Sequence, residues 1–319
     1  FKQKTAYEIS TRDWSSDVCS SDLVHVEAPL ADGSGAMGDI VRVGIVGSGI
    51  MGSGIAEVAA KAGFEVVLRS RSQTSADAMV ASLQKSLDKQ VEKGRLEQDA
   101  RDAALARVRG VSDLNELADC DLVIESILED LPTKKQLFND LDRIVKEGAI
   151  LATNTSALPV VEMAMETGRP ERVCGVHFFN PAPAMSLVEI VRAITSSDET
   201  IAECRAFAEA CGKGPVEVKD QAGFIVNALL FPYLNNAIRL MDAGVATRDD
   251  IDAAMKGGCG FPMGPLALLD LVGLDTSLSI LEALYAEFCD PNYAPAPLLR
   301  RMVSAERLGR KSGQGFYDY

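Results

Sequence analysis

Short apolar runs alternate with helix-period segments over the first two thirds of the chain. The runs are rich in valine and isoleucine, as expected of strands buried on both faces of a parallel sheet. The predicted strands are IVRVGIV (40–46), EVVLR (65–69), DLVIESI (121–127), AILATNTS (149–156), VCGVHFF (173–179), LVEIVRA (187–193) and GPVEVK (214–219). Helical patterns lie between them at 55–62, 75–93, 97–108 and 134–145. This alternation predicts an α/β fold with a Rossmann-type doubly wound, mainly parallel sheet.

From Gly223 onward the pattern changes to apolar residues spaced three and four apart, with hardly a strand among them. The helical segments are FIVNALLFPYLNNAIRLMDAG (224–244), DDIDAAMKGG (249–258) and ALLDLVGLDTSLSILEALYAEF (267–288). This predicts an all-α C-terminal domain at 221–319, with the boundary near Asp220 and the sheet domain at 37–220.

The stretch 1–36 differs in texture from everything downstream. We interpret it as an extraneous leader or a disordered tail, and His25 lies inside it.

A glycine-rich turn follows the first predicted strand. Gly47, Ser48, Gly49, Ile50, Met51 and Gly52 form the pattern GxGxxG, and a helix follows at once. In this context the first glycine makes the tight turn, the second lets the backbone approach a pyrophosphate, and the third packs helix on strand. The helix N-terminus then faces negative charge. The turn therefore predicts a dinucleotide site.

The end of the second strand bears on the choice of cofactor. An acid is expected there when the ribose hydroxyls of NAD are bound, but this chain has Ser70 flanked by Arg69 and Arg71. A hydroxyl and a guanidinium suit a 2′-phosphate. We therefore expect NADP(H) to be preferred. NAD(H) bound through backbone contacts, with Arg71 a solvated surface residue, is the alternative.

Composition and charge exclude several classes of protein. The net charge of −14 argues against nucleic-acid binding, which needs clustered positive charge. The seven cysteines form no CxxC pair, and with two histidines in the chain they predict neither a metal site nor a disulfide framework. Because no apolar run reaches about 18 residues, no membrane span is predicted, and a reducing cytoplasm is the expected location.

One histidine is a candidate for proton transfer. His177 lies near the end of a predicted strand, and Glu189 lies in the next strand. Histidine titrates near neutral pH, and a neighbouring carboxylate would orient the ring and stabilise its cation. Periodicity alone does not show that the two side chains meet, so a purely structural histidine is the alternative.

Seven motifs occur in an order that resembles the 3-hydroxyacyl-CoA dehydrogenases, in particular the bacterial 3-hydroxybutyryl-CoA members. The motifs are GSGIMGSGIA, DLVIES, NTSALP, HFFNPAPAM with LVE following, AGFIVN, FPMGP and GRKSGQGFYDY, and the resemblance as a whole covers 40–319. The resemblance implies oxidation of the 3-hydroxyl of an acyl-CoA thioester, or reduction of the 3-ketone, with a nicotinamide cofactor. It also implies a homodimer formed through the helical domain.

The resemblance assigns a role to each matching residue. His177 is implied as the general acid and base and Glu189 as the residue that orients it. Ser156 is implied to bind the substrate oxygen, and Asn227 to bind near the thioester or the reacting oxygen. The alternatives for these two are a helix N-cap and an interdomain hydrogen bond. The remaining matches are Glu129, Lys134, Asn180 and Lys311 at cofactor positions, and Lys89 and Lys93 at positions for the phosphates of coenzyme A.

The sequence departs from the family pattern at two positions. Ser70 replaces the usual aspartate, and Ser186 replaces a usual lysine, so one expected positive charge is missing. Two other functions stay open. A hydroxyisobutyrate or 6-phosphogluconate type of dehydrogenase would use lysine as its base, and a catalytically silent NADP-binding protein would need no base at all.

Overall fold

A computed structural model describes residues 40–319. Eight strands form one sheet: β1 (Arg42–Val46), β2 (Glu65–Arg69), β3 (Val108–Val111), β4 (Leu122–Glu125), β5 (Ile150–Thr153), β6 (Val173–Phe178), β7 (Leu187–Arg192) and β8 (Gly214–Lys219). Their order is β3-β2-β1-β4-β5-β6-β7-β8. Every neighbouring pair is parallel except β6 and β7. The expected doubly wound, mainly parallel sheet is confirmed.

Helices cover both faces of this sheet. They are α1 (Ile50–Lys61), α2 (Gln73–Glu92), α3 (Gln98–Ala106), α4 (Leu131–Ile144), α5 (Val160–Ala164) and α6 (Asp198–Ala210). Successive strand residues point to opposite faces, so Leu68 and Ile124 pack in one core and Val67 and Val123 in the other. This two-sided burial is the reason that the strands read as continuous apolar runs.

The edge strand β3 was not predicted. The helical pattern expected to run to Val108 ends at Ala106, and Val108 pairs with Val66 instead. The strand is only 4 residues long and contains Arg109 and Gly110, which hide its apolar pattern. A Cβ on Gly110 would lie 3.1 Å from the carbonyl oxygen of Ala76, so glycine allows α2 to pack closely against this edge.

Five helices follow the sheet: α7 (Val226–Asp242), α8 (Arg248–Cys259), α9 (Pro265–Val272), α10 (Leu274–Phe288) and α11 (Pro297–Ser304). They share a separate hydrophobic core, as the helical C-terminal pattern predicted. None of the helices in residues 40–319 combines the length and the hydropathy that a membrane span requires. The interpretation of 1–36 as a leader concerns residues outside the described part of the chain.

Two buried aspartates hold the C-terminal segment on this helical core. Asp252 accepts hydrogen bonds from the first turn of α9 and from the hydroxyl of Tyr317. Asp270 accepts bonds from the backbone N–H groups of Phe316 and Tyr317. A Cβ on Gly315 would lie 2.0 Å from Asp270, which explains a glycine at this point of the closing motif. The motif GRKSGQGFYDY therefore has a structural role.

Candidate active site

The glycine turn connects β1 to α1 at the point where the strand order reverses. Gly47 has φ +141°, and a Cβ there would lie 2.1 Å from the carbonyl oxygen of Ser126. A Cβ on Gly52 would lie 2.4 Å from the carbonyl oxygen of Gly47, so the third glycine lets the helix pack on the strand. A Cβ on Gly49 would meet nothing within 4 Å. The second glycine thus faces open space, as a turn that admits a pyrophosphate requires.

A cavity of about 1330 Å³ opens beside this turn, between the carboxyl ends of β1 and β4. It reaches from the end of β2 to the ends of β5 and β6. The predicted site residues that line it are Gly47, Ser48, Gly49, Ile50, Met51, Ser70, Arg71, Glu129, Lys134, Ser156 and Asn180. Clefts at such a switch point bind dinucleotides in open α/β sheets, and the residues present fit this group.

Ser70 lies at the far end of the cavity with an unpaired hydroxyl. The residue is 3% exposed, and its Oγ has no hydrogen-bond partner among the described residues. Arg71 is exposed and lines the cavity beside it. Burial, and then the nearby Arg71, lower the pKa of Arg69. A buried hydroxyl without a partner and two adjacent guanidinium groups form an environment that suits an anion.

The histidine and the glutamate meet in the structure. β6 and β7 pair so that His177 lies directly opposite Glu189. The distance from Nδ1 of His177 to Oε2 of Glu189 is 2.7 Å, and both residues are buried. Because Nδ1 is engaged by the carboxylate, Nε2 is the ring nitrogen that remains for a substrate.

Glu189 also holds the beginning of the helical part. Its Oε1 accepts hydrogen bonds from the backbone N–H groups of Ile225 and Val226, each at 3.0 Å. Asn227 follows as the second residue of α7 and is 8% exposed. Within the described residues no hydrogen bond joins its side chain to another residue, so the alternative role as an interdomain bond finds no partner there.

Aromatic rings enclose the imidazole. The ring centroids of Phe179 and Phe224 lie 4.6 and 5.5 Å from that of His177. Phe224 has φ +48°, a left-handed conformation that is strained for a residue with a Cβ. It is held there because its side chain is buried against the sheet. Strain of this kind is concentrated at functional sites.

Ser156 is not the N-cap of the following helix. The first N–H groups of α5, on Val160 and Val161, donate instead to the carboxylate of Asp220, whose pKa burial raises. The backbone N–H of Ser156 donates to Oε1 of Glu129 at 2.9 Å. Ser156 thus lies on the wall of the cavity with its backbone held from the β4 side.

Lys134 lines the cavity but is almost fully buried, and its ammonium is paired with two carboxylates. Its Nζ lies 2.7 Å from Oε1 of Glu125 and 3.1 Å from Oε2 of Glu129. Sequence reasoning assigned no role to Glu125, which ends the DLVIES motif's strand and is fully buried. A polar residue within an otherwise apolar buried strand was the signal that could have found it.

Three predicted lysines lie outside both described cavities. Lys311 pairs with Asp275 in the helical part, at 2.5 Å from Nζ to Oδ1, so the structure does not bring it to the expected cofactor position. Lys89 and Lys93 are exposed at the end of α2. They continue the helix face on which Ser82 and Ser86 line a second cavity of about 410 Å³.

A lysine from another part of the chain lies against the loop that contains Ser186. Nζ of Lys213, just before β8, donates to the carbonyl oxygens of Ala182 and Met185 at 2.8 and 2.7 Å. Burial lowers the pKa of this lysine. The loop therefore has a lysine ammonium close to Ser186 although its own sequence lacks one.

The fold and the site define a dinucleotide-binding oxidoreductase. Sequence models of the 3-hydroxyacyl-CoA dehydrogenase family match residues 42–221, as the NAD binding domain, and residues 223–319, as the C-terminal domain. The chain belongs to this enzyme family.

Two known proteins and one crystal structure are similar to it over most of their length. A 3-hydroxybutyryl-CoA dehydrogenase of Mycobacterium tuberculosis H37Rv is 48% identical over 88% of this chain and 99% of its own. A probable 3-hydroxybutyryl-CoA dehydrogenase of Deinococcus radiodurans is 47% identical over 88% of this chain and 100% of its own. The crystal structure of (S)-3-hydroxybutyryl-CoA dehydrogenase from Ralstonia eutropha is 44% identical with a TM-score of 0.86, over 88% of this chain and 99% of that one.

The open space at Gly49 leads to a first prediction. Gly49→Ala should fold with unchanged stability, because its Cβ meets no protein atom, but should raise the Kd for the dinucleotide about tenfold or more by filling the approach of the pyrophosphate. Thermal unfolding and cofactor titration by fluorescence measure the two effects. Gly257→Ala, which also meets no atom within 4 Å but lies on α8, is the matched control. If Gly49→Ala binds the dinucleotide as tightly as the wild type does, the assignment of this turn as a pyrophosphate site is contradicted.

Proposed function

We propose that the chain interconverts (3S)-3-hydroxyacyl-CoA and 3-ketoacyl-CoA thioesters, with 3-hydroxybutyryl-CoA and acetoacetyl-CoA as the substrate pair. The observation that carries the proposal is the buried His177–Glu189 pair near the carboxyl ends of the strands. The names of the similar dehydrogenases support the substrate class. A nicotinamide cofactor, when bound, supplies the hydride acceptor or donor. The glycine turn, Ser70, Arg71, Glu129, Lys134 and Asn180 would hold it.

His177 moves the proton in this proposal. Nε2 takes the proton of the 3-hydroxyl during oxidation and returns one to the oxygen during reduction. Glu189 keeps the ring in one orientation through Nδ1 and stabilises the cation that forms. Ser156 donates a hydrogen bond from its hydroxyl to the substrate oxygen, and Asn227, in the first turn of α7, binds near the thioester or the reacting oxygen. Both groups stabilise charge that develops on oxygen.

The alternative mechanism with a lysine base is not favoured. Lys134 lines the cavity, but its ammonium is buried and already engaged by the carboxylates of Glu125 and Glu129, so it is not free to act on a substrate. A catalytically silent protein is also less favoured, because a buried imidazole–carboxylate pair is costly to keep where it has no use. Reduction of acetoacetyl-CoA separates the silent protein from the enzyme.

Replacing the pair should remove catalysis while sparing binding. His177→Gln should lower kcat about 10²-fold to 10⁴-fold, because a positioned base contributes that much. Glu189→Gln should also lower kcat strongly, since it disturbs the ring orientation. Stopped-flow reduction of acetoacetyl-CoA, with cofactor Kd measured separately, tests both. Glu217→Gln on β8, an exposed glutamate of the same sheet, is the control for Glu189→Gln. A normal kcat for His177→Gln would exclude it as the base.

We also propose that NADP(H) is preferred to NAD(H). The support is the unpaired hydroxyl of Ser70 at the end of β2, with Arg71 beside it in the cavity. A 2′-phosphate would give this hydroxyl an acceptor and Arg71 a charge partner. A carboxylate at the same position would instead repel the phosphate and accept bonds from ribose hydroxyls.

A carboxylate introduced at position 70 should reverse the preference for NADP(H) over NAD(H). Ser70→Asp should lower kcat/KM for NADPH about tenfold or more relative to NADH, because a hydrogen bond to a charged group contributes roughly 1.5–3 kcal/mol. Steady-state kinetics with both cofactors gives the ratio. Ser72→Asp adds the same charge two residues away, at the α2 N-cap, where aspartate also caps well. A wild-type preference for NADH would show that the proposal is wrong.

Coenzyme A is proposed to bind along α2, on the other side of the glycine turn. The second cavity shares Ser48, Gly49 and Ile50 with the first and is bounded by α1, α2 and the loop Pro181–Pro183. Lys89 and Lys93 lie further along this face of α2. In a chain of net charge −14, such local ammonium groups are needed to bind the phosphates of coenzyme A.

Charge reversal on α2 should affect binding alone. Lys89→Glu/Lys93→Glu should raise KM for acetoacetyl-CoA about tenfold with little change in kcat, because the lysines contact only the remote phosphates. KM for a short acetoacetyl thioester without these phosphates should stay unchanged. Lys256→Glu, an exposed lysine on α8, serves as the control. If KM for both thioesters is unaffected by the double change, the two lysines are solvated surface residues.

A homodimer formed through the helical part completes the proposal. Several large apolar side chains of this part are exposed: Leu229 by 72%, Leu240 by 47%, Leu271 by 49% and Tyr285 by 41%. Covering them with a second copy would remove apolar surface from water. We propose the cytoplasm as the location, because the cysteine pattern of the sequence is not that of a disulfide framework.

A further inference from the structure

A continuous chain of charged contacts runs beneath the wall of the cavity. It begins at Glu125, the last residue of β4, which is fully buried and does not line the cavity. Oε1 of Glu125 accepts from Nζ of Lys134 at 2.7 Å and from the N–H of Ile127 at 2.6 Å. Oε2 accepts from the hydroxyl of Thr153 on β5 at 2.7 Å. These three donors satisfy the carboxylate of Glu125 within the protein, where it has no contact with solvent.

This series of contacts continues to Ser156, the residue proposed to bind the substrate oxygen. Lys134 is 1% exposed, and its Nζ also lies 3.1 Å from Oε2 of Glu129. Oε1 of Glu129 accepts from the hydroxyl of Thr155 and from the N–H of Ser156. Glu125 therefore reaches the backbone of Ser156 through one ammonium and one carboxylate.

Stability alone is a poor reason for this arrangement. Removing two charges from water costs much of what their attraction returns, and an apolar pair of similar volume often stabilises a core at least as well. A set of charged contacts with fixed geometry does, however, restrict the positions of its members. Glu129 is the exposed member, with 41% of its side chain accessible, so it is the one that most needs to be held.

We propose that Glu125 is a positioning residue for the dehydrogenase reaction. By anchoring the ammonium of Lys134 it fixes Glu129, and through Glu129 it fixes the backbone of Ser156 at the wall of the cavity. This inference rests on the proposed role of Ser156. A small displacement of a substrate-binding group lowers the rate of the chemical step more than it weakens binding.

Glu125→Gln tests the inference, because glutamine keeps the shape but removes the charge that holds Lys134. We expect kcat to fall about tenfold to 100-fold with little change in KM for acetoacetyl-CoA. In the protein without cofactor, hydrogen exchange measured by mass spectrometry should become faster for residues 154–158. An unchanged kcat, or an unchanged exchange rate at 154–158, would overturn the inference.

A double-mutant cycle with Ser156→Ala separates positioning from general destabilisation. If Glu125 acts through Ser156, Glu125→Gln should lower kcat much less in the Ser156→Ala background than in the wild type. Equal effects in both backgrounds would contradict the proposal. Asp252→Asn also neutralises a buried carboxylate, but in the helical part, and should leave both kcat and exchange at 154–158 unchanged. A similar loss of kcat in this control would mean that removing any buried charge is enough to lower kcat, and it would contradict the proposal.

The experiment distinguishes the two proposals from each other. If Ser156→Ala alone has a normal kcat, the proposed role of Ser156 fails. If Ser156→Ala is impaired and Glu125→Gln is not, only the present inference fails. Should Glu125→Gln not fold, Glu129→Gln breaks the next contact at a partly exposed side chain. The same faster exchange and the same loss of additivity are then expected, and their absence would overturn the inference.

Discussion

The carboxylate of Glu189 joins the sheet, the imidazole and the helical part of the molecule. It is 1% exposed, and a carboxylate so far from water is tolerated only where hydrogen-bond donors surround it. Three donors do so: Nδ1 of His177 and the N–H groups of Ile225 and Val226. The same group thus orients the ring and caps the first turn of α7. Without it, the imidazole would lose its orientation and α7 its attachment to the strand that carries the site.

The glycine turn and the end of β2 show how one cavity is divided between structural and binding requirements. Gly47 and Gly52 are glycines because backbone atoms leave no room for a Cβ, whereas Gly49 is next to open space. Ser70 is buried at the other end with an unpaired hydroxyl. Within the described residues, the cleft thus combines open space at Gly49 with an unpaired hydroxyl at Ser70, which suits a polar, anionic ligand.

The contacts made by charged side chains in this protein depend on the fold rather than on their positions in motifs. The loop that contains Ser186 lacks the lysine that its resemblance leads one to expect, yet Lys213 reaches the carbonyl groups of the same loop from the turn before β8. Lys134 stands at an expected cofactor position, but its ammonium is paired with Glu125 and Glu129. Lys311, which lies in the closing motif, pairs with Asp275. The partner of a charged group therefore determines its role more than its place in the sequence does.

The amino-acid sequence by itself determined the fold class, the glycine turn and the pairing candidates His177 and Glu189, because hydrophobic period and glycine spacing are local properties of the chain. It did not determine β3, whose four residues carry too weak a pattern, nor the partner of α5, which is Asp220 rather than Ser156. It also left the meeting of His177 and Glu189 open. That meeting depends on the antiparallel register of β6 and β7, and a shift by one residue would place the two side chains on opposite faces of the sheet. Strand register and contacts between distant segments are set only when the whole core packs, and so only the tertiary structure decided them.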